Sequence, residues 1–340
     1  MTARPSFGVV IPATGPLATR AAFGDAVDTI EGLGYEDVWF GDHVAVPSYA
    51  AAITDPDWLE PITCCLLALG RTTRLRAGTD VLVVPYRNPV LVAKMAATAD
   101  AMSGGRLVLG VGVGYLKGEF AALGADYKHR GAVSDEYLRA MRVLWASAGK
   151  PTSFHGEFVG FDDVCVGPAP ATGQVPLWVG GNAPAALGRA AVLGDGWHPL
   201  FPTPGGYRRG RDAIVAMRKT SERFVFSMSL AATKVLEPGG TYKPALWADL
   251  ADVPDDFGYA PAVPTTDDGR VRFVGDPDQV ATDVEDYLDA GVEHFTLRFS
   301  VGGHDIVVAD YLDQLQWFAQ EVMARFDESL PRPTKIGGQP

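Results

Sequence analysis

The chain has 340 residues, 47% of them hydrophobic and 21% charged, with a formal net charge of −12. That composition supplies a sizeable core and excludes disorder of the whole chain, and the length suits one or two domains. The negative balance gives no field to attract DNA, RNA or an anionic membrane, so neither nucleic acid nor membrane is expected as a partner.

The segment 1–15 carries one Arg and a five-residue apolar run, too short for the core of a secretory signal, and no later stretch reaches the length of a membrane span. The three cysteines, Cys64, Cys65 and Cys165, cannot build a disulfide framework. Cys64 and Cys65 are adjacent, without the gap of a redox or metal pair, and are read as small core residues. A cytoplasmic location is the expectation.

In chain order, residues 7–11 form an apolar run ended by Pro12 and Gly15, and 18–33 show helical spacing at Ala22, Val27, Ile30 and Leu33. Residues 37–41 (DVWFG) read as a second strand, leading into Asp42-His43. Residues 62–70 read as a helix with almost no polar face, hence deeply packed. A third strand spans 75–84, a helix opens at Asn88-Pro89 and runs to Met102, and a fourth strand spans 106–112.

Residues 134–146 predict a helix capped by Ser134, and 147–174 an excursion outside the repeating unit. Strands follow at 175–179, 197–200, 223–230 and 293–301, with helices at 183–193, 209–219, 276–290 and 305–326. Residues 237–268 form a long insertion rich in Pro, Gly and Asp, expected to cover the site, with Trp247, Phe257 and Tyr259 hinting at an apolar or aromatic substrate. One domain is expected over 1–330, followed by a loosely ordered tail at 331–340.

Regular alternation of strand and helix argues for parallel βα units, and about eight units fit a closed (β/α)8 barrel, with insertions after strands 4 and 7. An open dinucleotide-binding sheet would want a G-x-G-x-x-G turn, whereas Gly110, Gly112 and Gly114 have other spacing. Those glycines read instead as a barrel strand that a ligand or another layer approaches closely.

In a barrel, polar residues just after the strand ends share one face. Asp42-His43 offers a carboxylate beside a side chain suited to proton transfer, or else a turn cap with a packed ring. Gly180-Gly181-Asn182, before a helix, could turn backbone N–H groups toward a phosphate or be only a tight turn. Asp80 lies in an otherwise apolar strand, so it faces a site or water. Arg298, between Leu297 and Phe299, meets either an anionic ligand group or an internal counter-ion. His198, His294 and His304 lack metal-site spacing, and no metal is expected.

Several blocks together resemble the luciferase-like flavin and F420-dependent family: FGVVIP at 7–12, DVWFGDH at 37–43, the long run at 75–124 containing GVGVGY-x-x-x-EF-x-x-LG, VPLWVGGN at 175–182 and LGDGW at 193–197. The long run is similar to the F420-dependent branch. The resemblance implies a (β/α)8 barrel, a homodimer, and a flavin-type ring in the barrel mouth.

Carried over residue by residue, the resemblance implies that Asp42 contacts the ring and that His43 is the catalytic acid/base. It places Thr79, Asp80 and Val81 behind the ring, with a cis peptide at Asp80-Val81. Gly180, Gly181 and Asn182 would hold the cofactor phosphate. Tyr115 stands where some F420-dependent sugar-phosphate dehydrogenases have a proton-donating Glu, which argues against that reaction and leaves a phenol against the cofactor. Glu119 is read as structural.

The expected function is hydride transfer between coenzyme F420 and a small organic substrate. The alternative is an FMN-dependent monooxygenase using reduced flavin and O2, and a third reading is a non-catalytic flavin-binding protein. A separate flavin or F420 reductase is the expected protein partner, a flavin reductase in the monooxygenase reading.

Overall fold

The computed structural model describes residues 4–50, 56–242, 263–299 and 306–327. Eight parallel strands close on themselves: β1 (Ser6–Val10), β2 (Asp37–Phe40), β3 (Arg76–Thr79), β4 (Leu107–Gly112), β5 (Leu177–Val179), β6 (Gly196–Trp197), β7 (Val225–Ser229) and β8 (His294–Leu297). β1 pairs with β8 on one side and β2 on the other, and the pairing of β3 with β4 completes the ring. This is the closed (β/α)8 barrel that the alternation predicts.

The helices outside it are α1 (Arg20–Gly32), α2 (Pro61–Arg71), α3 (Pro89–Ser103), α4 (Lys117–Leu123), α5 (Arg130–Ala146), α6 (Pro184–Leu193), α7 (Pro204–Met217), α8 (Pro277–Asp289) and α9 (Val308–Phe318). Their starts follow local chemistry. Asn88 accepts from the N–H groups of Val90 and Leu91 ahead of Pro89, and Asp276 and Gln279 close a reciprocal capping box. α3 stops at Gly104, whose φ of +73° suits a residue without a β-carbon.

Three local expectations are corrected, and a fourth gains detail. α5 begins at Arg130, and Ser134 is buried within it, its hydroxyl bonded to the Arg130 carbonyl at 2.7 Å, because a mid-helix serine can bond back one turn. α7 begins at Pro204 behind a Thr203 cap rather than at 209. α2 is not packed all round, since Leu66 and Leu67 are 41% and 57% exposed. The excursion at 147–174 contains an antiparallel hairpin, Thr152–His155 with Gly160–Val164. The final helix also departs from regularity, passing through a π turn at Ala319–Met323.

The barrel interior is unusual in content. Trp39 and Trp178 lie across its axis with ring centres 5.2 Å apart, and His198 stacks on Trp39 at 4.7 Å. Strand glycines make the room. A β-carbon at Gly78 would come within 2.4 Å of Trp39, one at Gly8 within 2.6 Å of it, and one at Gly196 within 2.7 Å of Trp178. Between barrel and helices lies the aliphatic and aromatic core expected of this architecture. Cys64 and Cys65 belong to it, and burial pushes the Cys64 thiol up to about 12.

Candidate active site

The C-terminal ends of the strands bring Asp42, His43, Asp80, Val81, Tyr115, Gly180, Gly181, Asn182 and Arg298 to one end of the barrel. β3 breaks after Thr79 and resumes at Leu82–Val83; the Asp80-Val81 peptide between is cis, as the resemblance implied. The Thr79 hydroxyl donates to the Gly110 carbonyl at 2.6 Å and is fully buried, tying β3 to β4. Val81 stands between two glycines, since β-carbons at Gly112 and Gly180 would fall 2.6 and 3.2 Å from its methyls. Those glycines therefore create the seat that Val81 occupies.

Asp42 is buried and held by Arg87 through two hydrogen bonds, 2.7 and 2.8 Å, with the Val83 N–H adding a third at 2.8 Å. Burial pushes its carboxyl up, opposed by the Arg87 guanidinium. With both oxygens engaged, Asp42 anchors the segment after the cis peptide to the end of β2.

His43 is placed differently. Its Nδ1 lies 3.1 Å from Glu119 Oε2, and its ring sits edge-on to Trp58 and Tyr115, with centres 4.9 and 6.1 Å away. Glu119, on α4, is nearly inaccessible and also accepts from the N–H groups of Val44 and Ala45 and from the Tyr86 hydroxyl. Burial alone would raise its carboxyl, but the hydrogen bond from His43, its charge and the two backbone donors leave it below the ordinary value. An ionised Glu119 can only accept, so Nδ1 of His43 donates to it and Nε2 is the nitrogen left to exchange a proton. The structural role read for Glu119 holds in its grip on 44–45, and the orientation of His43 is added to it. The signal in the sequence is faint: Glu119 follows His43 by 76 positions.

Asp80, expected to face a site or water, is instead buried and paired with Arg298 at 2.6 Å, the internal counter-ion that was one of the two readings of Arg298. Asp80 also accepts from Ser229 at 3.0 Å and faces Nε2 of His198 at 3.0 Å. The glycine turn is held from behind: Gly180 N–H donates to Val111, Trp197 Nε1 donates to the Gly181 carbonyl, and Asn182 donates to Leu200. Gly181 has φ of +99°, which only glycine adopts readily. On the outer side of this turn a cleft of about 380 Å³ is lined by Asn182, Trp197, Thr203, Gly206 and Arg209, among others. It offers a cation and a helix start beside the turn.

Among the described residues there is no cluster of His, Cys, Asp and Glu that could hold a metal ion. No helix among them is long and apolar enough to cross a membrane. His304 and most of the insertion at 237–268, including Trp247, Phe257 and Tyr259, lie outside the described residues.

A closed parallel barrel whose strand ends gather a histidine, a cis bulge and a glycine turn on one face has the architecture of a barrel enzyme. The sequence profile of the luciferase-like monooxygenase family matches residues 6–234, and the chain belongs to that family.

Among relatives, an uncharacterized protein of Mycobacterium tuberculosis is 43% identical over 131 residues, which are 38% of this chain and 44% of that one. The chain thus matches less than half of that relative's length. The phthiodiolone/phenolphthiodiolone dimycocerosates ketoreductase of M. tuberculosis is 26% identical over 322 residues, covering 78% of this chain and 84% of that one. Among solved structures, an F420-dependent secondary alcohol dehydrogenase in complex with an F420-acetone adduct superposes with a TM-score of 0.73 at 20% identity, covering 95% and 99% of the two chains. The FMN-bound oxygenating constituent of 3,6-diketocamphane monooxygenase from Pseudomonas putida gives 0.70 at 15% identity, covering 97% and 100%. Both structures share the fold.

Proposed function

We propose that the protein is an F420-dependent oxidoreductase that transfers a hydride between coenzyme F420 and a small organic substrate. The observation that carries this reading is the His43–Glu119 pair at the barrel mouth. Interconverting an alcohol and a carbonyl moves a hydride and a proton, and a base whose tautomer is held by a buried carboxylate suits the proton. A ketoreductase among the relatives and an alcohol dehydrogenase among the structural neighbours support the same chemistry.

The residues present fit a planar ring with a phosphate-bearing tail. Val81, seated between Gly112 and Gly180, would back the ring. Gly181, Asn182 and the cleft containing Arg209 would take the phosphate. When bound, the deazaflavin supplies the two-electron hydride donor or acceptor. His43 Nε2 accepts a proton from the substrate in one direction and returns it in the other. Glu119 stabilises the imidazolium formed in between, Trp58 and Tyr115 confine the His43 ring, and Asp42 keeps the cis bulge in register. Arg298, already paired with Asp80, would stand beside the substrate at the mouth.

Fluorescence titration with F420 and, separately, with FMN at matched ionic strength tests the cofactor. Tighter F420 binding is expected. Preference for FMN would replace this reading with the oxygenase alternative, favoured by the FMN-bound neighbour, in which a separate reductase supplies reduced flavin. A homodimer is proposed as well, with the exposed Leu66 and Leu67 of α2 as the contact.

A further inference from the structure

The barrel axis holds a line of polar groups that the mouth alone does not require. At the N-terminal end of the strands, Arg76 meets Asp37 at 2.7 Å. Asp37 accepts from Trp39 Nε1, and each of its oxygens lies 2.9 Å from Nε2 of His294. Nδ1 of His294 is 3.5 Å from the Ser227 hydroxyl, which is 2.7 Å from Nδ1 of His198. Nε2 of His198 reaches Asp80 at 3.0 Å, and Asp80 reaches Arg298 at the mouth at 2.6 Å. All five groups between the two arginines are buried, while Arg76 is a third exposed at the far end.

A barrel interior is ordinarily filled by branched aliphatic side chains, and replacing buried ionic groups by such residues is often neutral or stabilising. Each carboxylate here already has an arginine. The two imidazoles add something different: through one hydroxyl they connect the carboxylates. Ser227 has a single proton, so it donates to one ring while accepting from the other.

One arrangement satisfies every link. Asp37 carries a proton donated to His294 Nε2, His294 Nδ1–H donates to Ser227, Ser227 donates to His198 Nδ1, and His198 Nε2–H donates to the Asp80 carboxylate. Shifting each proton one place leaves Asp37 ionised, Asp80 protonated and both neutral rings in the other tautomer. The net result is one proton moved from Asp37 to Asp80.

We propose that these five groups form a proton relay along the barrel axis, linking the Arg76 end to the carboxylate beneath the mouth. The two ends are poised differently. Burial raises the Asp37 carboxyl and lowers His294, with Arg76 and His198 adding to the latter. At Asp80 burial is outweighed by the His198 hydrogen bond and the Arg298 charge, which keep the carboxyl below its ordinary value. These directions favour the Asp37 end over the Asp80 end for the proton, and the 3.5 Å gap at Ser227 is the link that must close for it to move. The value of this relay to catalysis rests on the reading that Asp80 backs the cofactor; the relay itself does not.

The test is nitrogen NMR of the full chain labelled at its histidines, at neutral pH, with signals assigned through His198→Gln and His294→Gln. The expected result in the parent is a proton on Nδ1 of His294 and on Nε2 of His198. Asp80→Asn, whose amide N–H stands in for the protonated carboxyl, should switch both rings to the other tautomer together, and adding Ser227→Ala should confine the switch to His198. If Asp80→Asn does not fold, the parent spectrum decides the matter, because both rings protonated on the same-named nitrogen would break the chain. That result, or an Asp80→Asn spectrum in which the two rings do not switch together, would overturn the relay. Failure of F420 to bind would overturn the cofactor reading and leave these spectra as they are.

Discussion

At the scale of single residues, the Glu119–His43 contact yields the sharpest expectations. Glu119→Gln keeps an oxygen for the Val44 and Ala45 N–H groups but turns an amide N–H toward Nδ1 of His43. The ring should switch tautomer and lose its basic Nε2, with turnover falling by about 10²-fold, the range of lost acid–base catalysis. His43→Ala should fall as far, and unchanged turnover in either variant would remove the base from the mechanism. Because the folded-state carboxyl of Glu119 is depressed, its stabilising effect is present above the ordinary value of 4.5 and disappears as pH drops through the lower folded value. Denaturant melts of parent and Glu119→Gln should therefore differ by roughly 1–3 kcal/mol at neutral pH and converge in acid. Asp42-His43 was legible in the sequence because both residues follow a strand end. Glu119 was not, because its partner is set by where α4 docks.

At the scale of elements, the first five strands were legible because each run is closed within a few residues by a glycine or a polar pair. Gly110 illustrates how far such reading goes: close approach by another layer was foreseen, and a β-carbon there would lie 3.4 Å from Trp39 as well as 2.0 Å from the Thr79 carbonyl. What periodicity missed was the inward alternation of Ser227 and Ser229 on β7 and of His294 and Thr296 on β8, continued just past it by Arg298, since a fully buried strand hides its two faces alike. Glycines in different elements should respond in opposite directions. Gly78→Ala drives a methyl into Trp39 and should cost at least about 1–3 kcal/mol. Gly188→Ala, within α6 and facing open space, should raise stability by about 0.5–1 kcal/mol. Thermal unfolding of the two variants against the parent checks both signs.

At the scale of the whole molecule, closure of the barrel was readable from the count of βα units, whereas the exposed apolar face of α2 was not, because a continuous apolar run looks the same whether solvent or core covers it. If that face joins two copies, light scattering should report a dimer, and Leu67→Arg should dissociate it without altering the melting of the fold. Thiol chemistry offers an independent check on packing. Cys64 and Cys65 are buried and Cys165 exposed, so a thiol reagent should label one cysteine in the native protein and three after unfolding. The paired indoles of Trp39 and Trp178 have an optical consequence. They form two of the seven tryptophans, are buried in the barrel interior, and lie against His198 and His294. Their emission should be blue-shifted, should fall when a neighbouring imidazole gains charge, and should drain by energy transfer into any chromophore lodged above them, giving the protein a built-in lamp for whatever its mouth binds.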